Sequence, residues 1–470
     1  MKLRQVISIF ISKLAIKVLR LIKKGGTTLP GKLAFKIYPG ILRSIAGNFE
    51  IIMVTGTNGK TTTTRIIEEI LKNNNIDYIT NKSGANLLSG ITTIFIQAVT
   101  LTGKPRHRVA LIESDEAAFN QVTKHLQPKA VVVTNFFRDQ LDRFGELYST
   151  LNAVKSGLER VGDNTALILN ADDSMCASLG RETNKPVFYY GIAPEAQAGD
   201  TLNSGDINTD AIFCINCKSK YQYTHHIYGH LGGFFCTGCG YKRPAASLEC
   251  TGIQEAGSSH TTINWKSAPP LSETLQEYTT RINLPGLYNV YNAMAAATCG
   301  LALNYGANTV ISAMQSFECG FGRMEAITVG DKTIKLILVK NPTGFNQVLS
   351  FLALDEQQLN AAFLINDKLA DGTDISWLWD VDFEQLNKSP DKIGNLFASG
   401  LRGEDMAVRL KYSGLDTRKI RIIKDYQLLL DRGLEQTPPG GCFHILPTYT
   451  AMLDIRGILK KKYNLKEFWK

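Results

Sequence analysis

The sequence predicts an α/β protein: a nucleotide-binding unit built on a parallel sheet, a four-cysteine metal ribbon inserted into it, and a smaller α/β unit after it. Three observations carry that expectation. Apolar strands alternate with amphipathic helices from Glu50 onward; a Gly-rich turn with a lysine joins the first of these strands to its helix; and two CxxC pairs interrupt the rhythm between about 205 and 250. At roughly 150 residues per domain, a chain of 470 residues has room for about three units.

In chain order, residues 1–49 form a basic N-terminal segment. Its first 24 residues place Val6, Ile9, Phe10, Lys13, Lys17 and Arg20 at helical spacings and close at Gly25-Gly26. Two readings stand side by side: a basic amphipathic helix lying on a membrane surface, or a helix packed on the body with a solvated basic face. Residues 50–320 form the nucleotide-binding unit. EIIMVT reads as a strand, the segment with Ile66, Ile67, Ile70 and Leu71 as a helix, and RVALIE, AVVVTN and TALILN as further strands. Strands that are apolar throughout belong to a parallel sheet covered on both faces. After the Cys-rich segment the α/β pattern resumes near Ile282, with a helix from Asn289 to about Asn304. Residues 321–470 form the last unit, in which IKLILVK, AAFLIN, DMAVRL, KIRII and GCFHILP read as five strands.

The turn after EIIMVT is Gly56-Thr57-Asn58-Gly59-Lys60-Thr61-Thr62, and a helix follows at once. Small residues let backbone N–H groups turn toward phosphate oxygens. Lys60 would reach the β- and γ-phosphates and the Thr61 hydroxyl a magnesium ion, at a helix N-terminus that favours anions. The turn is shorter than the full GxxxxGK[ST] pattern, because Val54 occupies the place of the first glycine. Magnesium also needs a carboxylate, and Glu113 ends strand RVALIE on the edge where open α/β sheets bind ligands. Arg138, Asp139 and Asp142, after the next strand, share that edge as weaker candidates.

Cys214 and Cys217 are separated from Cys236 and Cys239 by 18 residues. Four thiolates at this spacing suit tetrahedral structural zinc, with Gly240 in the second knuckle, and a closed set of four leaves no coordination position for chemistry. His225, His226 and His230 between the pairs then read as surface histidines. Cys442 and His444, in an apolar strand, read as core rather than as a nucleophile and its base.

The formal charge of +9 excludes less than it first implies. Ten basic and no acidic side chains fall in residues 1–49, leaving 42 basic against 43 acidic in the remainder. A nucleic-acid enzyme would spread a basic groove over its body, so no nucleic-acid partner is expected. Charges break every apolar run before the roughly 18 residues that a membrane span needs. Nine cysteines, four of them in CxxC pairs, point to reduced thiols and a cytoplasmic setting, with the basic segment free to touch the inner membrane face.

TGTNGKTTT (55–63), Glu113, TNFFRDQLDRFGE (134–146), LNADD (169–173), LPGLYNVYNA (284–293) and GRME (322–325) together resemble the Mur ligase central domain. More narrowly, the four-cysteine insertion, TTLPGK (27–32), KNPTGFN (340–346) and DGTDISWLWDVDFE (371–384) resemble the MurT family, subunits of lipid II isoglutaminyl synthase. The phosphate loop is shared by all Mur-type ligases, whereas the cysteines with the DGxDxSW segment are particular to MurT. The resemblance implies ATP, magnesium and structural zinc as cofactors, lipid II as substrate, and amidation of the stem-peptide D-glutamate α-carboxyl with ammonia from a partner glutaminase, GatD. It also implies nucleotide contacts from Asn289 and Arg323. Matched residue by residue, it makes Asp374 the third member of the partner's Cys/His pair, with Asp371 second and Asp380 third; from the residues alone, each is a loop aspartate that caps a turn. Two other readings stay open at this stage: a Mur-type ligase that joins an amino acid to a soluble substrate, and a nucleotide- and zinc-binding scaffold without chemistry.

Overall fold

The structure, a computed structural model, describes residues 3–21, 28–81, 85–138, 144–196, 210–256, 260–317, 323–354 and 357–465. In chain order the first sheet takes β1 (Glu50–Thr55), β2 (Tyr78–Thr80), β3 (Val109–Glu113), β4 (Ala130–Val133), β5 (Ala166–Asn170) and β6 (Val187–Ile192). A separate hairpin of β7 (Gln222–Tyr228) and β8 (Leu231–Phe235) follows, and then β9 (Leu248–Ala256), β10 (Thr261–Ser267) and β11 (Gln276–Ile282) rejoin the sheet. Its order is β11-β10-β9-β6-β5-β4-β1-β3-β2. All pairings from β9 to β2 are parallel, and β9, β10 and β11 form an antiparallel wing.

Alternation along β1 explains how the sheet is covered. Ile52 and Val54 pack with Ile66 and Ile70 of helix Lys60–Asn73 and with Val290 and Met294 of helix Leu287–Ala302. Ile51 and Met53 point the other way, into a core with Phe95, Phe119 and Leu151 from three helices on the opposite face. A strand buried on both faces is apolar at every position, which is why β4 reads Ala-Val-Val-Val.

The antiparallel wing lies in a stretch for which the sequence reading gave no strands. Along Thr261–Ser267 buried and half-buried residues alternate, the period of a strand with one covered face.

The second sheet comprises β12 (Arg323–Val329), β13 (Lys332–Ile337), β14 (Leu359–Leu364), β15 (Ile393–Ser399), β16 (Ile420–Ile422) and β17 (Cys442–Pro447). Its order is β12-β13-β17-β14-β15-β16, parallel except for β12. Cys442 and His444 are buried in β17, between β13 and β14. The boundary expected at about 321 falls outside the described residues, as do Asp139, Asp142 and Gly322.

DMAVRL is a correction: it is not a strand but part of helix Gly403–Tyr412. Met406, Val408 and Leu410 alternate in sequence, yet Val408 is exposed while Met406, Arg409 and Leu410 are buried, at helical spacings of three and four. Glu404 and Asp405 in its first turn and Arg409 and Lys411 in its last suit the helix dipole. The strand is β15, which ends at Ser399, upstream of this helix.

The N-terminal helix spans Leu3–Leu21 and packs against helices Leu29–Ile37 and Leu88–Ala98. Packing against the body therefore holds, but the solvated side is largely apolar rather than basic. Among the described residues, no helix is long and apolar enough to cross a membrane.

Helix Tyr426–Gln436 crosses the second sheet with Gly433 against Phe443 of β17. A Cβ at Gly433 would lie 2.2 Å from the ring, and that ring is itself fixed edge-on against Phe397. Gly433→Ala therefore sets a helix-propensity gain of about 1 kcal/mol against an overpacking cost of about 1–3 kcal/mol. We expect a net loss of stability, read as a lower Tm; an unchanged or raised Tm would show that helix and sheet are not in close contact.

Candidate functional site

The turn between β1 and helix Lys60–Asn73 has a shape that only glycine permits at two points. Gly56 has φ +118 and Gly59 φ +84. A Cβ would come within 2.4 Å of Thr134 Oγ1 at Gly56 and within 1.9 Å of Asn292 Oδ1 at Gly59. The segment after β4 fixes the intervening backbone. Thr57 N donates to Asn135 O at 2.8 Å, Asn58 N to Asn135 Oδ1 at 2.9 Å, and Phe137 N to Thr57 Oγ1 at 3.1 Å. Asn58 O accepts from Thr134 Oγ1 at 2.7 Å and from Asn135 Nδ2 at 3.2 Å. From the other unit, Asn341 Nδ2 donates to Asn58 Oδ1 at 3.0 Å.

Lys60 is buried over this turn. Its ammonium donates to the carbonyls of Gly56 at 2.5 Å and Thr57 at 3.2 Å, and pairs with Glu116 Oε2 at 3.0 Å. Burial alone would pull its pKa down; the carboxylates of Glu116, Glu113 and Asp115 outweigh that, and the net direction is upward, so Lys60 is a cation. Thr61 Oγ1 donates to Glu113 Oε2 at 2.7 Å, which joins the two residues expected to hold magnesium. Beside the turn lies a cavity whose lining includes Thr57, Glu116, Phe137 and Arg138. Arg138 pairs with Asp210 at 2.5 Å. Asp380 from the second unit faces both, its carboxyl pushed upward chiefly by burial.

Asn289 is buried one helical turn before Asn292, its Nδ2 donating to Pro285 O at 2.7 Å and its Oδ1 accepting from Asn292 Nδ2 at 3.2 Å. Arg323 opens β12, and its side chain is outside the described residues. Sequence reasoning missed Glu116, Thr134, Asn292 and Asn341 as loop contacts. Thr134, Asn292 and Asn341 lie in the noted segments AVVVTN, LPGLYNVYNA and KNPTGFN, and Glu116 carried no signal.

The LNADD aspartates are structural supports. Asp173 accepts from Phe136 N at 2.7 Å and caps helix Ser174–Ser178 through Met175 N and Cys176 N. Asp172 accepts from Ile192 N, Tyr291 Oη and Arg243 at 2.8, 2.6 and 2.5 Å. The reading of His230 as a surface residue is overturned. It is fully buried, its ring centroid 4.6 Å from that of Phe137 and its Nε2 3.4 Å from Asp173 Oδ1; that separation places the ring in the carboxylate's field but lacks hydrogen-bond geometry.

The four cysteine sulfurs lie within 4.8 Å of one another, Cys214–Cys239 at 3.6 Å and Cys217–Cys236 at 3.3 Å. Sulfurs about 2.3 Å from a tetrahedral ion sit about 3.8 Å apart, so the set fits such a metal. Positive φ at Lys218 and Gly240 turns each knuckle, closed by Lys218 N on Cys214 O and Gly240 N on Cys236 O, both at 2.9 Å. Ser219 draws the Cys217 thiol down to about 6. Tyr241 Oη anchors the ribbon to Ser174 O at 2.5 Å.

Geometry separates the candidate aspartates after β14. Asp371 spends both oxygens on Thr450, from N at 2.7 Å and Oγ1 at 2.5 Å, at the start of helix Tyr449–Tyr463. Asp374 uses only Oδ1, on Ser376 N at 2.8 Å and Oγ at 2.6 Å, which hold its carboxyl below the usual range. Its Oδ2 has no hydrogen-bond partner among the described residues.

A glycine-rich turn with a buried lysine at one edge of a largely parallel sheet, followed by a second α/β unit, is the arrangement of the Mur ligase class, to which the comparisons assign the chain. Residues 54–231 match the Mur ligase middle domain and residues 338–452 the MurT ligase C-terminal domain. A pseudomurein peptide ligase type C from Methanothermus fervidus shares the fold at TM-score 0.66 and 20% identity, over 90% of this chain and 80% of that one. A MurF ligase from Thermotoga maritima, solved in complex with ADP, does so at TM-score 0.60 and 12% identity, over 92% and 84%. The lipid II isoglutaminyl synthase (glutamine-hydrolyzing) subunit MurT of Streptococcus pneumoniae is 36% identical over 93% of both chains. The chain belongs to the MurT family.

The ribbon's small aromatic core, Tyr221, Phe234 and Tyr241, surrounds Cys214 and Cys236, so loss of the metal should loosen it. Elemental analysis of the purified chain should give one metal ion per chain, and Cys214→Ser should lose it together with the protease resistance of residues 210–247. A metal-free wild type with the same resistance would contradict the assignment.

Proposed function

We propose that this chain is the ligase subunit of a lipid II isoglutaminyl synthase, acting in the cytoplasm on the D-glutamate α-carboxyl of the lipid II stem peptide. The observation that carries the reading is a phosphate loop with a buried cationic lysine and a Thr61–Glu113 pair, in the same chain as an Asp374 that keeps one carboxylate oxygen available.

A carboxylate does not react with ammonia directly, because its oxygen is a poor leaving group. The γ-phosphoryl of ATP passes to the carboxylate oxygen, giving an acyl phosphate and ADP. Ammonia then attacks the carbonyl carbon, the C–O bond to phosphate breaks, and the amide, inorganic phosphate and a proton leave. Gly56, Thr57, Asn58, Gly59 and Thr62 frame the phosphates, and Lys60 exchanges Glu116 and the loop carbonyls for phosphate oxygens, offsetting charge on the transferred group. Asn289 and Arg323 complete the nucleotide site. Magnesium, held by Thr61 and Glu113, supplies further charge neutralisation when bound. Zinc on Cys214, Cys217, Cys236 and Cys239 holds the ribbon and takes no part in the reaction. We divide the chain at 1–49, 50–320 and 321–470, the second unit carrying the nucleotide and the third the partner contact.

Ammonia comes from glutamine through a separate glutaminase of the GatD type. Asp374 orients that partner's histidine, since a Cys/His pair works best with a carboxylate on the far imidazole nitrogen. Asp374→Asn retains an oxygen for the Ser376 bonds, so the fold should survive. In the assembled complex we expect glutamine-driven amidation to fall by about 10³-fold or more, while amidation from added ammonium proceeds at the wild-type rate. Equal loss of both would contradict the role of Asp374.

A further inference from the structure

The N-terminal helix is inverted relative to an ordinary surface helix. Its face toward the body carries Gln5, Ser8, Ile9, Ser12 and Ile16. Ser8 Oγ donates to Ala34 O at 3.1 Å and Lys13 Nζ to Val99 O at 2.5 Å, which fixes its orientation on the body. The opposite face is apolar and exposed: Leu3 (75%), Phe10 (54%), Leu14 (51%) and Leu21 (83%), with Ile7, Ile11 and Val18 between them. At about 3.6 residues per turn, these seven side chains fall in one sector about 100° wide. A stripe this long facing water is a binding surface rather than scattered exposure.

The charges around it identify the occupant. Arg4 lies on one flank and Lys17 and Arg20 on the other, all exposed, and Lys32, Lys36 and Arg43 are exposed on the next two helices. Residues 1–49 contain no acidic side chain. An apolar stripe edged by cations alone complements a surface with an apolar interior and a negative rim. We propose that this face docks on an anionic lipid bilayer, the helix lying parallel to the surface with its aliphatic side chains at the headgroup–acyl boundary. Because the helix is pinned by Ser8, Lys13 and the buried isoleucines, docking fixes the orientation of the whole molecule. The inference rests on this surface and is independent of the proposed reaction.

The test is co-sedimentation of the full chain with phosphatidylcholine vesicles, with and without phosphatidylglycerol. We expect binding to the anionic vesicles, weakened at least about tenfold by Phe10→Asp with Leu14→Asp, and loss of the anionic preference in Lys17→Glu with Arg20→Glu. These side chains are exposed, so Tm should not move; Leu21→Asp, at the helix end, is the second variant should the first lower it. Absence of binding by the folded wild type would overturn the proposal. So would full binding by the Asp variants, or a self-association that they abolish in a protein that ignores vesicles.

Discussion

The site depends on one constraint: the Gly56–Lys60 backbone has to be held in an open turn with two positive-φ glycines while a cation is kept buried above it. A turn with two left-handed glycines is not stable by itself, because glycine has the most conformational freedom to lose. The segment after β4 supplies the missing order. Thr134 and Asn135 satisfy both polar groups of the Asn58 peptide unit, and Asp173, one strand further along, secures that segment through Phe136 N. The LNADD motif thus supports the turn at one remove, through hydrogen bonds.

The same constraint links the two α/β units. Asn58 offers its backbone to the first unit and its side chain to Asn341 of the second, whose Oδ1 in turn accepts from Gly344 N at the start of helix Pro342–Leu354. The lysine is prepared in a comparable way. Glu116 and two loop carbonyls surround its ammonium, which keeps a charged side chain buried at an acceptable cost.

Legibility in the sequence followed range. The glycine-rich turn and the paired cysteines lie in short contiguous stretches whose chemistry can be read residue by residue, and so do the apolar runs that mark β1, β3, β4 and β5. What sequence could not reveal comes from distant elements: Asn292 under Gly59, Glu116 on Lys60 and Asn341 on Asn58 meet only when the sheets close. His230 looked like a loop histidine because nothing nearby in sequence says that Phe137 and Asp173 enclose it. DMAVRL misled because Met406, Val408 and Leu410 alternate in sequence, and only the exposure of Val408 and the burial of Arg409 separate the helical stripe from a strand. Choosing Asp374 over Asp371 rests on the resemblance, and the engagement of both Asp371 oxygens by Thr450 is a long-range contact that sequence does not show.

The central claim is that the buried lysine and its loop activate a carboxylate by phosphorylation. The most direct measurement uses lipid II whose D-glutamate α-carboxylate carries oxygen-18, incubated with this chain, ATP, magnesium and ammonium, followed by mass analysis of the released phosphate. The account predicts one labelled oxygen in the phosphate for each amide formed. Amide formed with unlabelled phosphate would contradict it.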